Sequence, residues 1–315
     1  MTISVGRLTQ TELLLELESV VAGELDRHLA TAREWFPHEY VPWSAGRTYD
    51  GVLGGEAWSP EDSKIPDVAR TALVVNLLTE DNLPSYHHEI ASLFGRDGAW
   101  GQWVHRWTAE EGRHGTAIRD YLLVTRAVDP VALERARMDH MSTGFESNYG
   151  GVLHSLAYVS FQELATRISH RNTGKATGDP IADRLLARIA LDENLHMIFY
   201  RNLLNAALEL APDQTMRAVT DVVTSFQMPG NDLAGFQRKA IEIALAGIYD
   251  ARQHRDDVLL PVLRHWKIWE LTGLGAAGEQ AREELGGFLD NLDRQASRFE
   301  DRRDALKARL LNQSG

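Results

Sequence analysis

The sequence predicts an all-α protein, a four-helix core bundle carrying one polar site and flanked by additional helices. Three observations lead there. Apolar residues recur at helical spacing along nearly the whole chain, and no stretch reads convincingly as a strand. Breaks rich in Gly, Pro and Asn divide that pattern into long segments. Finally, one Glu followed at a distance by Glu-x-x-His occurs twice, with intervals of 31 residues (Glu80 to Glu111) and 30 residues (Glu163 to Glu193).

Taken in order, the first helix starts with Thr9 or Thr11 as its cap. Its apolar stripe of Leu13, Leu14, Leu17, Val20, Val21 and Leu25 runs toward Trp35, and Pro37 stops it. From 36 to 64 the chain is rich in Gly, Pro, Trp and Tyr without a period, which predicts a long loop packed on the body. Helices are expected over 66–81, 85–94, 99–127, 150–171, 181–210, 213–227, 233–252, 256–269 and 277–311, with one break at Pro229, Gly230 and Asn231. Between them, 128–149 holds a short amphipathic piece after Pro130, enough to cross along a bundle. A single domain over 1–315 accommodates all of this: an N-terminal helix at 9–35, a core bundle at 66–210 and additional helices at 213–311.

Composition narrows the chemistry. A hydrophobic share of 43% and a charged share of 25% are ordinary for a globular chain. With no cysteine, disulfides, thiolate zinc sites, cysteine-ligated iron–sulfur clusters and a thiol nucleophile are excluded, so any metal must sit on carboxylate and imidazole. No apolar run approaches the roughly 18 residues of a membrane span, and the N-terminus lacks a signal-peptide pattern, so a cytoplasmic protein is expected. The net charge of -12 argues against nucleic acid or an anionic membrane as a general partner. Lys supplies only 5 of the 33 basic residues, an Arg bias that suggests a high-GC bacterial genome.

Of 12 histidines, His114 in EEGRHG and His196 in DENLH have a Glu three residues before them. Residues at i and i+3 share a helix face, so each pair can present a carboxylate and an imidazole to one ion. Glu80 in VVNLLTED and Glu163 in YVSFQELAT are each the lone Glu of a strongly apolar segment, where an unpaired carboxylate is costly. Taken singly, each has a plainer explanation: a buried Glu can pair with Arg, and a helical His can bond a carbonyl. Taken together, Glu80, Glu111, His114, Glu163, Glu193 and His196 match the ligand set of ferritin-like carboxylate proteins, one Glu from each of two helices and Glu-x-x-His from each of two others. Carboxylate and imidazole suit iron or manganese, and two iron ions per chain are expected.

The strings TEDNLPSY at 79–86, WTAEEGRHG at 107–115, YVSFQELAT at 158–166, LDENLH at 191–196 and LTGLGAAGEQA at 271–281 carry a further likeness. Through them the chain resembles the soluble acyl-carrier-protein desaturases of plant plastids and actinobacteria, from about Trp35 to Arg302. The resemblance implies a homodimer that takes two electrons from ferredoxin, uses dioxygen at reduced iron and places a double bond in an acyl chain held on acyl carrier protein. It also implies that Thr166, three residues after Glu163, assists proton delivery where dioxygen reacts; a hydroxyl bonded back to its own helix is the plainer alternative. Trp35 and Asp192 are expected to orient His114 and relay electrons, with surface solvation of Asp192 as the alternative. Trp107, Ser155 and Leu156 correspond to channel-lining positions.

The chain also departs from the plant members. Gly112 replaces Asn inside a helix, Leu195 replaces a basic residue, Glu89 stands where an apolar residue flanks the acyl channel, and the segment after Gly95 is shorter. Arg252, Arg255, Arg264 and Lys267 form a candidate cationic cluster for an acidic carrier, against the simpler reading of a solvated face. Two other functions stay open: a different di-iron oxidase or oxygenase, and a non-catalytic homologue that binds iron and acyl carrier protein.

Overall fold

The structure is a computed structural model and describes residues 7–145, 150–228 and 235–313. The helices are α1 (Gln10–Thr31), α2 (Asp67–Asp81), α3 (Leu83–Phe94), α4 (Gly98–Val124), α5 (Pro130–Thr143), α6 (Val152–Thr177), α7 (Pro180–Leu210), α8 (Pro212–Ser225), α9 (Phe236–Leu245), α10 (Ala251–Gln253), α11 (Leu260–His265) and α12 (Ala276–Gln313). Among the described residues the only β feature is an isolated bridge between Tyr49 and Glu56.

Thr9 is the cap of α1. Its hydroxyl accepts from the Glu12 amide while the Glu12 carboxylate accepts from the Thr9 amide, a reciprocal closure of the first turn. The helix ends at Thr31, short of the expected Trp35. Ala32 already has extended backbone, and the free segment lets Trp35 turn its indole inward to Asp192. Residues 36–64 form the expected loop, fastened to the end of α4. The Tyr49 hydroxyl donates to the Leu123 carbonyl, the Trp58 indole donates to the Arg126 carbonyl, and the Arg126 guanidinium reaches Asp62 and the Ala57 carbonyl.

Four helices make the core. α2 packs on α4 and α6, and α7 closes the ring by packing on the same two. α6 and α7 form a tight hairpin: Gly178 ends α6 at φ 65, and Asp179 caps α7 by accepting from the Ile181 amide, with Pro180 at the first position. The two helices approach so closely at Gly174 that a Cβ there would lie 3.0 Å from Asp183 Oδ1 and 3.2 Å from its Cα. α1 lies on α4 and α7, α8 covers α6 beneath α12, and α9 rests on α2. α5 supplies the expected crossover piece.

The chain after α8 departs from expectation. The predicted break at Pro229, Gly230 and Asn231 lies outside the described residues, as does the start of the helix predicted at 233–252. That helix divides: α9 stops at Leu245, Gly247 takes φ 74, and the chain restarts at Ala251 under an Asp250 cap. The helix predicted at 256–269 is instead a π-helical stretch (His254–Leu259), the short α11, and a 3₁₀ turn (Ile268–Glu270) entered through Lys267 at φ 50. Pro261 has no amide hydrogen to bond back into the preceding turn, which leaves that turn free to widen.

Candidate metal centre

The six acids and imidazoles singled out by spacing converge inside the core ring, Glu80 from α2, Glu111 and His114 from α4, Glu163 from α6, and Glu193 and His196 from α7. They form two overlapping groups, Glu80 with Glu111, His114 and Glu193, and Glu111 with Glu163, Glu193 and His196; within each, one donor atom per residue lies within 4.8 Å of the others. Glu111 and Glu193 belong to both. Glu111 turns Oε2 to His114 Nδ1 (3.3 Å) and Oε1 to His196 Nδ1 (2.8 Å). Glu193 turns Oε1 to His114 Nδ1 (3.4 Å) and Oε2 to His196 Nδ1 (3.6 Å). Glu80 lies 3.8 Å from the first imidazole and Glu163 lies 3.6 Å from the second.

The donor atoms pass a test of fit. His114 Nδ1, His196 Nδ1, Glu111 Oε1, Glu163 Oε2 and both Glu193 oxygens are buried without a hydrogen-bond partner among the described residues. Buried polar atoms left unpaired are costly and rare. These all face one another, and a cation between them would satisfy them together. Neither imidazole has its other nitrogen idle: His114 Nε2 lies 3.4 Å from Asp192 Oδ2, and His196 Nε2 lies 2.9 Å from Glu110 Oε2. Such acids behind metal-binding imidazoles fix the ring and raise its basicity.

Charge balance tells the same story. Burial raises the Glu163 carboxyl well above the usual range, and the Glu111 and Glu193 charges add to it. Burial with the Glu193 charge also raises Glu111. Burial pushes Glu193 up as well, but the His114 charge, with the His170 and His196 rings also close by, holds it well below. For His114 and His196 burial opposes the charged ring, yet the surrounding carboxylates override it and raise both well above normal. The site demands positive charge, and protons and divalent cations compete for it.

Trp35 and Asp192, expected near His114, are both buried there. The Trp35 indole donates to Asp192 Oδ2 at 2.7 Å, and its ring stacks 6.4 Å from His114 and under the Arg113 guanidinium at 5.0 Å. Asp192 is 2% exposed and also pairs with Arg188, so it is not a solvated surface acid. Three partners escaped the spacing argument. Glu110 links His196 to His28 of α1 (3.0 Å), and His170 lies 3.0 Å from Glu80 Oε1. Glu110 immediately precedes Glu111, and His170 lies two turns after Glu163 on one face; both signals were present, whereas His28 had none.

A cavity of about 340 Å³ reaches the centre at Glu80 and Glu111. Its walls include Leu83, Ile90, Leu93, Tyr158 and Val159, with Glu89 as a half-buried acid among them. Trp107 and Ser155 line it as expected; Trp107 also donates its indole hydrogen to Glu163 Oε1 at 3.1 Å. Leu156 does not line it and is buried in the apolar core. Thr166 donates its hydroxyl to the Gln162 backbone carbonyl at 3.0 Å and accepts from the Gln162 side-chain amide, so its hydroxyl is bonded within its own helix. Two of the four residues of the candidate cationic cluster are tied down, Arg252 by Asp293 and Glu300 of α12 and Arg255 by Asp256 and Asp293, while Arg264 and Lys267 are exposed.

The family described as fatty acid desaturase matches residues 9–313. DesA1 of Mycobacterium tuberculosis, named for acyl-(acyl-carrier-protein) desaturation, is 53% identical over 303 residues, which span 94% of this chain and 89% of that one. The chloroplastic stearoyl-(acyl-carrier-protein) 9-desaturase 6 of Arabidopsis thaliana is 33% identical over 268 residues, 78% of this chain and 67% of that protein. The X-ray structure of DesA2 from Mycobacterium tuberculosis superposes with a TM-score of 0.71 at 32% identity, covering 85% of this chain and 98% of that one. The chain belongs to the fatty acid desaturase family.

Proposed function

We propose that the chain is an acyl-(acyl-carrier-protein) desaturase whose two iron ions are held by Glu80, Glu111, His114, Glu163, Glu193 and His196. The observation that carries this reading is the meeting of two four-donor groups, sharing Glu111 and Glu193, with a mostly apolar cavity that ends on Glu80 and Glu111. Removing hydrogen from unactivated methylenes needs a strong oxidant, and iron with dioxygen supplies it when bound. The reaction balances as one –CH2–CH2– unit with dioxygen, two electrons and two protons giving –CH=CH– and two waters.

The chain's own residues do the rest. Leu83, Ile90, Leu93 and Val159 hold an acyl chain by apolar contact and exclude water beside the centre. Trp107 fixes Glu163 through Oε1, which aims Oε2 at His196. Asp192 holds His114 and is itself held by Trp35, Arg113 and Arg188, which makes Trp35 the outer station of a bonded path for electrons. Thr166 assists proton delivery, its hydroxyl being kept in place by Gln162. Glu89 on the wall favours a chain that stops short of it or carries a polar group at that depth. A ferredoxin-type donor and a homodimer are carried over from the family resemblance, and a cytoplasmic location from the sequence pattern. No helix among the described residues is long and apolar enough to cross a membrane.

The test is a single turnover. Iron-loaded protein is reduced chemically and given oxygen with mixed acyl chains on carrier protein, and products are weighed by mass spectrometry. Loss of two hydrogens from one chain length is the expected result. Bound iron and consumed oxygen without that product would move the assignment to another di-iron oxidase.

A further inference from the structure

Two cavities reach Glu80. The larger, of about 340 Å³, touches α6 at Ser155, Tyr158, Val159 and Gln162. The smaller, of about 90 Å³, touches it at Thr166 and Ser169. These positions step by three or four residues and make one stripe along the helix. α2 repeats the pattern: the smaller cavity takes Val75 and Asn76, both share Thr79 and Glu80, and the larger continues to Leu83. The cavities are consecutive lengths of one groove between α2 and α6. The partition lies at the level of Glu80, where the Gln162 amide donates to Thr166 Oγ1 and that hydroxyl donates to the Gln162 carbonyl, each at 3.0 Å.

The smaller length has two unlike walls. Its outer side is apolar, with Phe236, Ala240 and Ile243 of α9 beside Met228; its inner side carries Asn76, Thr79, Thr166 and Ser169 and ends on Glu80. A volume of about 90 Å³ has room for a diatomic gas or a few waters, but not for an acyl chain. A chain seated in the larger cavity closes that approach to any second reactant. We propose that the smaller cavity is the entry and holding site for dioxygen, separate from the acyl cavity and divided from it by Gln162 and Thr166. The apolar outer wall takes up the gas, and the groove leads it to Glu80. Naming the reactant as dioxygen rests on the proposed function; the gas site itself does not.

Xenon tests the site directly, because the apolar side of the cavity offers it a seat whether or not iron is present. Crystals of the metal-free and iron-loaded protein under xenon pressure are expected to show a peak bounded by Val75, Ala240 and Ile243. In Ala240→Phe the ring fills this space; the peak should vanish and the oxygen concentration for half-maximal rate should rise several-fold, with acyl-carrier binding unchanged. Ile243→Trp is a second plug should the first variant fail to fold. No xenon peak in the unsubstituted protein overturns the proposal. So does an unchanged oxygen dependence in a folded variant that has lost the peak. A xenon peak with no desaturation in the turnover assay counts against the activity and supports the gas site.

Discussion

Each imidazole of the candidate centre turns Nδ1 toward the shared carboxylates and Nε2 toward an acid outside the two four-donor groups, Asp192 for His114 and Glu110 for His196. Glu110 is the more exposed to test, because His28 and Arg106 hold it from outside the core. Glu110→Gln keeps the shape and removes the charge that makes His196 a strong base. Metal affinity should fall by roughly 10–100-fold, read by competition with a chelator, with helix content unchanged. Gly112 gives a prediction of the opposite sign. It is exposed, sits inside α4, and a Cβ there would meet only Leu83 Cδ2 at 3.8 Å. Gly112→Ala should therefore stabilise the fold by about 0.5–1 kcal/mol in urea titration. At this scale the sequence was informative where chemistry follows helical spacing: the paired Glu-x-x-His and the lone acids in apolar segments stood out. It was silent on His28, which reaches the site only through the packing of α1, and on the direction in which Thr166 turns its hydroxyl.

The long helices were legible because each has an apolar period, reinforced in α1 by the Thr9 cap. What periodicity could not show is a change of helix type. From His254 to Leu259 the turn widens, yet apolar residues still recur and the segment reads as α-helix. The widened turn holds His254, half-buried, against the Phe226 ring at 4.7 Å and the Tyr249 hydroxyl at 2.9 Å. Burial lowers this histidine from 6.5 to about 4. Its folded value lies below its free one, so its contribution to stability is whole above about pH 6.5 and is lost as pH falls toward 4. Compared with His254→Gln, which cannot take up the proton, the unsubstituted protein should lose about 2 kcal/mol more between pH 7 and pH 5 in urea unfolding. Equal losses in the two proteins would mean that the ring is not closed off from water.

Across the whole molecule, the core ring concentrates four buried carboxylates in a chain that already carries a net charge of -12. Such a cluster is tolerable only with compensating cations. α12 turns Asp293 and Glu300 to Arg252 and Asp293 also to Arg255, so these two arginines serve internal fastening, whereas Arg264 stays exposed. The fold class and the core were readable from the sequence because four long apolar helices admit few arrangements. The placement of α8 to α12 was not, since their contacts depend on turns of positive φ and on the π-helical stretch. On the proposed function this ring would hold two metal ions, with Glu111 and Glu193 common to both donor groups. Anomalous diffraction at the iron edge, on crystals loaded with ferrous iron under exclusion of oxygen, decides the matter. Two peaks should appear inside the ring, one among Glu80, Glu111, His114 and Glu193 and the other among Glu111, Glu163, Glu193 and His196. A single peak, or iron held at His28, Glu110 and His196 instead, would rule out the two-ion ring.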